Sequence, residues 1–346
     1  MYGKHLAFSM LHRGGGGLDM VGMHGGYELR TYHGGDESAI WRLWNECLPR
    51  EGICWDQFLK KTILDRNFDP RGAIIAEVDG KVVGFAYSII RRVPMEGTDL
   101  EPDRGWLTAI FVHPDYRRQG IASAMLDEVY EFLARHGRTT LSVSPYTPNY
   151  FWPGVDPENH KEADGFFQKH GFGILSAPYA MEADLRFFIV PEAVKQRIAT
   201  LEQDGIYLCC IEPKYYVPLF STIEEHFSAE WVRVAREALW RGVSQDNILV
   251  AVRYKSDGTP EVVGWCQYGG YDDMPERFGP FGVIDAMRGK QIGKALLYKC
   301  METMRRKGLH SVWFLWTNLE SPAGRLYQQA GFEPYRQFNI YEKTFG

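Results

Sequence analysis

Two short basic segments each stand before an apolar helical pattern, and their residue types suit the binding of an anion. The first reads HPDYRRQGIASA over residues 113–124, and the second reads DAMRGKQIGKAL over residues 285–296. The N-terminus of a helix carries unpaired N–H groups and the positive end of the helix dipole, so a phosphate or diphosphate binds there readily. The two segments therefore predict anion sites at the starts of two helices.

The first segment has the residue types that a diphosphate site needs. Gly120 and Ala122 are small enough for backbone N–H groups to approach phosphate oxygens, and Arg117 and Arg118 add charged donors. The segment matches neither the dinucleotide fingerprint G-x-G-x-x-G nor the P-loop pattern. If it stood alone, a solvated helix start with surface arginines would be the better interpretation.

The elements around each basic segment also occur twice and in the same order. KVVGFAYS (81–88) resembles EVVGWCQY (261–268), and FFQKHGF (166–172) resembles LYQQAGF (326–332). Chance similarity between apolar strands explains one such match but poorly explains three. The chain is therefore predicted to contain two copies of one domain.

The pattern of apolar residues predicts where the copies begin and end. We predict a flexible glycine-rich leader at 1–26, copy one at 27–190, a linking helix at 191–204 and copy two at 205–346. Each copy has a strand, helices, a hairpin, a strand that enters the basic turn, the helix after it and further strands. The predicted fold class is mixed α/β, with each copy a mixed sheet flanked by helices.

Composition excludes several classes of protein. The net charge of -5 over 346 residues weighs against a nucleic-acid partner. No apolar run approaches the roughly 18 residues that span a membrane. The six cysteines form no C-x-x-C pair, and the spacing of His160, Glu162 and His170 fits no standard metal site. We therefore expect a cytoplasmic protein with free thiols, no metal and no membrane or nucleic-acid partner.

Together, the repeated elements resemble the GNAT acetyltransferase family. VHPDYRRQGIASAML resembles the family's acyl-CoA turn, Q/R-x-x-G-x-G/A after the fourth strand, and the V-V-G hairpin and the two G-F elements follow the family order. The likeness covers residues 27–345 approximately and predicts a tandem GNAT protein. It implies that acetyl-CoA is the cosubstrate and that an acetyl group passes to an amine of a small molecule or peptide by direct attack.

The resemblance also implies which residues act. The family holds the diphosphate on backbone N–H groups of the basic turn and pairs the pantetheine arm with the preceding strand. In copy one the cofactor-binding residues would be Phe111, Val112, Arg117, Arg118, Gln119, Gly120, Ile121 and Ala122. In copy two they would be Arg288, Gly289, Lys290, Ile292 and Gly293.

The two copies lack complementary parts of the family pattern. A tyrosine before G-F commonly protonates the departing thiolate, and copy two has Tyr327 there, with Asn318 as a polar helper, whereas copy one has Phe167. In copy two Gln291 replaces the turn glycine, where its side chain could crowd the diphosphate or point to solvent. Asp285 adds a carboxylate near that turn.

Several questions stay open at the level of sequence. No general base is obvious; the weak candidates are Thr108, His113, Tyr146, Asp272, Asp273 and Glu276. The aromatic loop 146–160 either forms a wall of a site or packs between the domains. The alternative to an enzyme is a non-catalytic protein that holds acyl-CoA. The acceptor, the catalytic copy and the oligomeric state are not predicted.

Overall fold

The computed structural model describes residues 20–272 and 274–346, which form two compact units. Unit one contains the described part of Met1–Ile53 together with Asp69–Tyr87 and Ile110–Phe132. Unit two contains Cys54–Phe68, Ser88–Ala109 and Leu133–Gly346. Most of the predicted leader, residues 1–19, lies outside the described residues. No helix in the described ranges is long and apolar enough to cross a membrane.

The elements of copy one follow the predicted order, preceded by a short strand at the end of the predicted leader. They are β1 (Met20–His24), β2 (Tyr27–Thr31), α1 (Glu37–Cys47), α2 (Trp55–Lys61), β3 (Ala73–Val78), β4 (Lys81–Ile89), β5 (Arg104–Val112), α3 (Ile121–Arg135), β6 (Thr140–Val143), α4 (Lys161–Lys169), β7 (Gly173–Ser176) and β8 (Tyr179–Asp184). The helix α5 (Glu192–Gln203) then lies inside the predicted linking segment.

Copy two repeats this order. Its elements are β9 (Tyr207–Cys210), α6 (Tyr216–His226), α7 (Ala229–Trp240), β10 (Ile248–Tyr254), β11 (Pro260–Tyr268), β12 (Phe278–Val283), α8 (Ile292–Arg306), β13 (Ser311–Thr317), α9 (Pro322–Gln329), β14 (Glu333–Gln337) and β15 (Ile340–Thr344). Strands and helices are interspersed along both copies, which confirms the predicted mixed α/β fold class.

Local sequence explains the elements that position the basic turns. The β3–β4 hairpin turns at Asp79 and Gly80, which both have positive φ, the conformation that two-residue hairpin loops favour. The predicted apolar stripe of α8 is buried along its length, including Ile292, Leu296 and Met304. Burial of one stripe holds each such helix against its sheet and so fixes the direction in which its N-terminus points.

The closing strands of the two copies are exchanged. Strand β15, at the end of copy two, pairs antiparallel with β6 and β7 of copy one; Tyr341 lies opposite Val143 and Ile174. Strand β8, at the end of copy one, pairs with β13 and β14 of copy two; Glu182 lies opposite Trp313 and Glu333. All of these strands belong to unit two. Each copy therefore needs the last strand of the other to complete its sheet.

Candidate functional site

The two basic turns have the same backbone conformation. In copy one, Arg118 and Gly120 have φ values of 64° and 85°; in copy two, Gly289 and Gln291 have φ values of 80° and 59°. Both turns therefore use two left-handed residues, and each places glycine at only one of them. Left-handed backbone costs a residue with a side chain about 1–2 kcal/mol. The replacement of glycine by Gln291 adds strain and leaves the path of the turn unchanged.

The side chain at the replaced position does not fill the turn. Gln291 is exposed and makes no capping hydrogen bond to its helix. A Cβ atom built on Gly120 would have one neighbour, the Tyr27 hydroxyl oxygen at 3.9 Å. Of the two alternatives for Gln291, the structure has the side chain in solvent.

Backbone donors are unpaired at both turns. Within residues 20–272 and 274–346, no group accepts a hydrogen bond from the N–H of Ile121 or Ala122, or of Ile292 or Gly293. Such donors at a helix start, next to the positive end of its dipole, suit an anion. Both turns thus retain the donors that a diphosphate requires.

The copy-two turn is the more crowded of the two. Arg197 from α5 donates from Nε and Nη2 to the Lys290 carbonyl oxygen at 3.0 and 2.8 Å. Asp285 pairs with Arg288 at 2.6 Å and neutralises one of the predicted phosphate ligands. A Cβ atom on Gly293 would lie 3.2 Å from Cζ of Phe281, so a side chain at this position would press against that ring.

In both copies the two parallel strands separate before the turn. Strand β5 pairs with β6 from Arg104 to Leu107, yet β5 continues to Val112. In copy two, Arg277, directly before β12, forms an isolated parallel bridge with Trp313 of β13. Beyond each point the two parallel strands are not paired with each other in the part of the chain that the structure describes. A ligand's amide groups could pair with the strand backbone there.

The predicted strand residues of copy one contribute backbone rather than side chains. Phe111 and Val112 are buried, and the Phe111 ring lies 5.4 Å from Trp44 and 5.7 Å from Phe85. Arg117 is exposed and donates from Nε to the Val112 carbonyl oxygen at 3.0 Å. Gln119 is also exposed. These contacts hold the end of β5 to the start of the turn.

Tyr327 lies in an aromatic cluster of copy two. Its ring is 4.4 Å from that of Phe314, with Phe278, Phe281 and Phe332 around it. The hydroxyl donates to no described residue, and burial raises the pKa of Tyr327, so the proton is retained. Chemically this group could donate a proton to an anion.

The other predicted residues near α9 and α4 have structural contacts. The Asn318 side chain accepts a hydrogen bond from the Glu320 N–H at 2.9 Å and so stabilises the turn before α9. Phe167 of copy one is buried and stacks on Tyr341 from the exchanged strand, at 5.5 Å. The Tyr341 hydroxyl is hydrogen-bonded to Asp164. The Phe167 position in copy one thus has no hydroxyl that could donate a proton.

The weak candidates for a general base are engaged in other contacts. His113 accepts the Asp115 N–H on Nδ1, at 3.2 Å, so Nε2 carries the proton and donates to Glu46 at 3.1 Å. The Tyr146 hydroxyl bonds Asn67 at 2.8 Å and Asp65 at 3.2 Å. The Glu276 carbonyl oxygen accepts a hydrogen bond from the Trp313 N–H at 3.1 Å, and Asp273 lies outside the described residues.

Asp272 belongs to a buried ionic network that sequence reasoning missed. Its carboxylate lies 2.9 Å from Lys61 Nζ and 2.5 Å from Arg277 Nη1. Lys61 also donates to the Tyr150 carbonyl oxygen at 2.8 Å, and the Arg277 guanidinium lies 4.5 Å from the centre of the Tyr271 ring. Asp272 is therefore a structural counter-ion rather than an available base.

The aromatic loop 146–160 packs on strands of copy two. Trp152 stacks on Phe338 at 6.1 Å, and Tyr150, Trp152 and Trp313 surround the buried Leu315. The interpretation as packing between the copies fits these contacts. The described residues contain no cluster of three or more His, Cys, Asp or Glu side chains that could hold a metal ion.

A cleft of about 430 Å³ in unit two was also not predicted. Arg91, Trp106 and Ser142 of copy one line it. The repeat places Tyr271, Arg277 and Trp313 at the matching positions of copy two, where Arg277 covers both rings. In copy one the Arg91 guanidinium likewise lies over two rings, those of Trp106 and Tyr146, at 5.1 Å from each, and the cleft adjoins this group. No local motif marks these residues, because they come from separate segments.

The chain belongs to the acetyltransferase (GNAT) family. The family's sequence profile matches residues 37–172 and 215–332, which together exceed half of the chain and fall one in each copy. The tandem arrangement predicted from the repeat is thereby confirmed.

Individual relatives are distant. An L-2,4-diaminobutyric acid acetyltransferase from Nocardia farcinica is 29% identical over 122 residues, 35% of this chain and 58% of the relative, so the chain spans little more than half of it. A mycothiol acetyltransferase from Pseudarthrobacter chlorophenolicus is 26% identical over 264 residues, 69% of this chain and 73% of the relative. A tandem GNAT protein from the clavulanic acid biosynthesis pathway has a similar fold, with a TM-score of 0.60, 19% identity, and coverage of 92% of this chain and 99% of that one.

Proposed function

We propose that the protein transfers an acetyl group from acetyl-CoA to an amine. The observation that carries the proposal is the open helix start after β5, where Ile121 and Ala122 have unpaired N–H groups beside exposed arginines. A diphosphate with its pantetheine arm along the free backbone of β5 matches this arrangement. Membership of an acetyltransferase family supports the acetyl group as the cargo.

Copy one is the acetyl-CoA site in this proposal. A Cβ atom at Gly120 would meet only the Tyr27 hydroxyl oxygen, at 3.9 Å, whereas the copy-two turn has the strained Gln291 at the equivalent position and the Asp285 carboxylate on Arg288. Arg117, Arg118 and Gln119 then flank the diphosphate, and the backbone of Phe111 and Val112 faces the pantetheine arm. The copy-two turn has the same shape and is the weaker candidate for binding acetyl-CoA. Its residues are Arg288, Gly289, Lys290, Ile292 and Gly293.

The reaction is direct attack. The amine, having lost a proton, forms a C–N bond to the thioester carbonyl carbon, a backbone N–H stabilises the oxyanion, and the C–S bond breaks. In copy one Phe167 cannot protonate the thiolate, so that proton comes from solvent. Copy two has Tyr327 as a possible acid. In that copy, however, the network of Lys61, Asp272 and Arg277 occupies the place that corresponds to the cleft of copy one. We therefore assign copy two to the support of the acceptor site.

Calorimetric titration of acetyl-CoA tests the cofactor site. Gly120→Trp is expected to abolish binding, because the ring would cover the N–H groups. Gly137→Trp is the matched control. Gly137 also has a positive φ, 68° compared with 85° for Gly120, and a Cβ atom built there would have no neighbour within 4 Å. It lies just beyond the opposite end of α3. Unchanged affinity in Gly120→Trp would overturn the placement.

A protein that holds acyl-CoA without turnover is the second candidate, favoured by Phe167 and by the engaged state of His113 and Tyr146. A panel of amines with acetyl-CoA, read by release of free thiol, separates the two. Thiol release that depends on an amine supports the transferase. Tight binding with no release for any amine supports the holder.

A further inference from the structure

The cleft in unit two has the size and lining of a site for a small organic molecule. Its volume of about 430 Å³ lies in the range of ligand pockets. Trp106 and Ser142 lie opposite each other in the last but one pair of β5 and β6, immediately before the strands separate. Trp316 and Leu175 add apolar surface that is 47% and 59% exposed. Trp106 is only 3% exposed and lies beneath the Arg91 guanidinium, so the apolar surface open to a ligand is that of Trp316 and Leu175.

The positive charges of the cleft are already neutralised. Arg91 pairs with Glu101 at 2.5 Å, and its side chain is 3% exposed. Arg104 pairs with Glu342 at 3.2 Å. An anionic ligand would have to displace one of these carboxylates, so the lining disfavours a carboxylate or phosphate on the ligand.

One carboxylate of the lining, that of Glu230, has only long polar contacts. The nearest cation to Glu230 is Arg233, at 3.5 Å, and Arg233 makes a shorter contact of 2.5 Å with Glu237. The Tyr271 hydroxyl is also 3.5 Å away. The Glu230 side chain is only 12% exposed, and burial raises its pKa although Arg233 opposes the shift. A buried carboxylate with long contacts gains most from a cationic ligand.

We propose that this cleft binds the acceptor, with the acceptor's ammonium group on the Glu230 carboxylate and its apolar body against Trp316 and Leu175. The acceptor is then a small primary amine with an aromatic or aliphatic body and no acidic group. The inference rests on the acetyl transfer proposed above. In this proposal copy two contributes to acceptor binding, because Glu230 and Trp316 belong to that copy.

Three compounds with one ring and different charge test the class of ligand. Phenethylamine is cationic at neutral pH, phenethyl alcohol is neutral and hydrocinnamate is anionic. Calorimetry with the full chain is expected to show binding of the amine and at least about tenfold weaker binding of the other two. Equal or tighter binding of hydrocinnamate would mean that Arg91 or Arg104 governs the cleft, and would overturn the proposal.

Two variants on one helix test the residue. Glu230→Gln is expected to weaken phenethylamine binding at least about tenfold, whereas Glu237→Gln, which also contacts Arg233, is expected to leave it unchanged. Glu230→Gln should not lower the melting temperature. A carboxyl group whose pKa is raised by folding reduces stability as pH rises through that pKa, and the amide does not ionise. Equal affinity of Glu230→Gln and the parent would refute the proposal.

The readouts separate this inference from the proposed function, because amine binding needs no acetyl-CoA. Thiol release with an unchanged KM for the amine in Glu230→Gln would uphold the transferase and overturn the assignment of Glu230. Binding of phenethylamine that depends on Glu230, without thiol release from any amine, would uphold the cleft as an amine site and overturn its role as the acceptor site.

Discussion

Gly120 and Gln291 have the same left-handed backbone conformation at the starts of their helices, with φ values of 85° and 59°. The second turn has kept its shape although its residue at this position has a side chain. The difference between the copies therefore lies in strain and surroundings rather than in the path of the backbone.

This relationship predicts that Gln291→Gly stabilises the protein. The change removes a left-handed penalty of about 1–2 kcal/mol and loses part of that gain to the greater freedom of glycine in the unfolded chain, about 0.5–1 kcal/mol. We expect a net increase of roughly 0.5–1 kcal/mol in the free energy of unfolding, measured by urea denaturation. The reverse change Gly120→Gln should lower it by a similar amount. No difference in either variant would contradict a strained Gln291.

Tyr327→Phe is expected to leave the rate of thiol release within about twofold, because the copy-two face is filled. The variant loses no hydrogen bond, so its free energy of unfolding should not fall. Folding raises the pKa of Tyr327, so the unfolded chain ionises first and stability falls above pH about 10. The free energy of unfolding of Tyr327→Phe, relative to that of the parent, should therefore increase as the pH rises above about 10.

Tyr298→Phe is the control, since its hydroxyl donates to the Gln329 carbonyl oxygen at 2.7 Å. That variant should lose about 1 kcal/mol of stability. A tenfold or larger loss of rate in Tyr327→Phe would instead make copy two the reactive copy, with Tyr327 as its acid.

The network around Asp272 predicts an asymmetry between its members. Asp272→Asn leaves Lys61 and Arg277 buried without their counter-ion and should cost about 3–5 kcal/mol. Lys61→Met leaves Asp272 paired with Arg277 but leaves the Tyr150 carbonyl oxygen without its donor, so this change should cost less, about 1–3 kcal/mol. Chemical denaturation measures both. Equal losses would show that Lys61 is the essential cation.

Removal of residues 340–346 tests the strand exchange. Because β15 pairs with β6 and β7, truncation after Asn339 should expose the edges of two copy-one strands. Hydrogen exchange under native conditions is expected to show lost protection in Thr140–Val143 and Gly173–Ser176. Loss confined to β13 and β14 would mean that each copy closes its own sheet.

The local sequence was sufficient to predict the helices and strands and their order along the chain. The stripe of Ile292, Leu296 and Met304 predicts α8, and Asp79-Gly80 predicts the hairpin turn, because periodicity and turn chemistry act over a few residues. The repeat predicts the tandem family, which the match over residues 37–172 and 215–332 confirms. The basic turns and their glycines were likewise visible as local motifs.

The candidate site was less predictable, because its parts meet only through long-range pairing. The pairing of Lys61 with Asp272, and the contact of Arg277 with the Trp313 ring, join segments that no motif links. The role of Asp272 changed from candidate base to counter-ion because desolvation makes a buried carboxylate keep its cations. The sequence around Glu230 does not distinguish it from other helical glutamates. Only the folded structure shows that it lines the cleft.

By itself the sequence determined the family, the tandem repeat and the two helix starts with their anion-binding residue types, since these depend on local patterns. Only the tertiary structure decided that β8 and β15 are exchanged, that Gln291 keeps the left-handed turn and that Asp272 pairs with Lys61 and Arg277. The physical reason is that strand partners and buried charges are selected by the free energy of the whole fold, to which distant residues contribute as much as near ones.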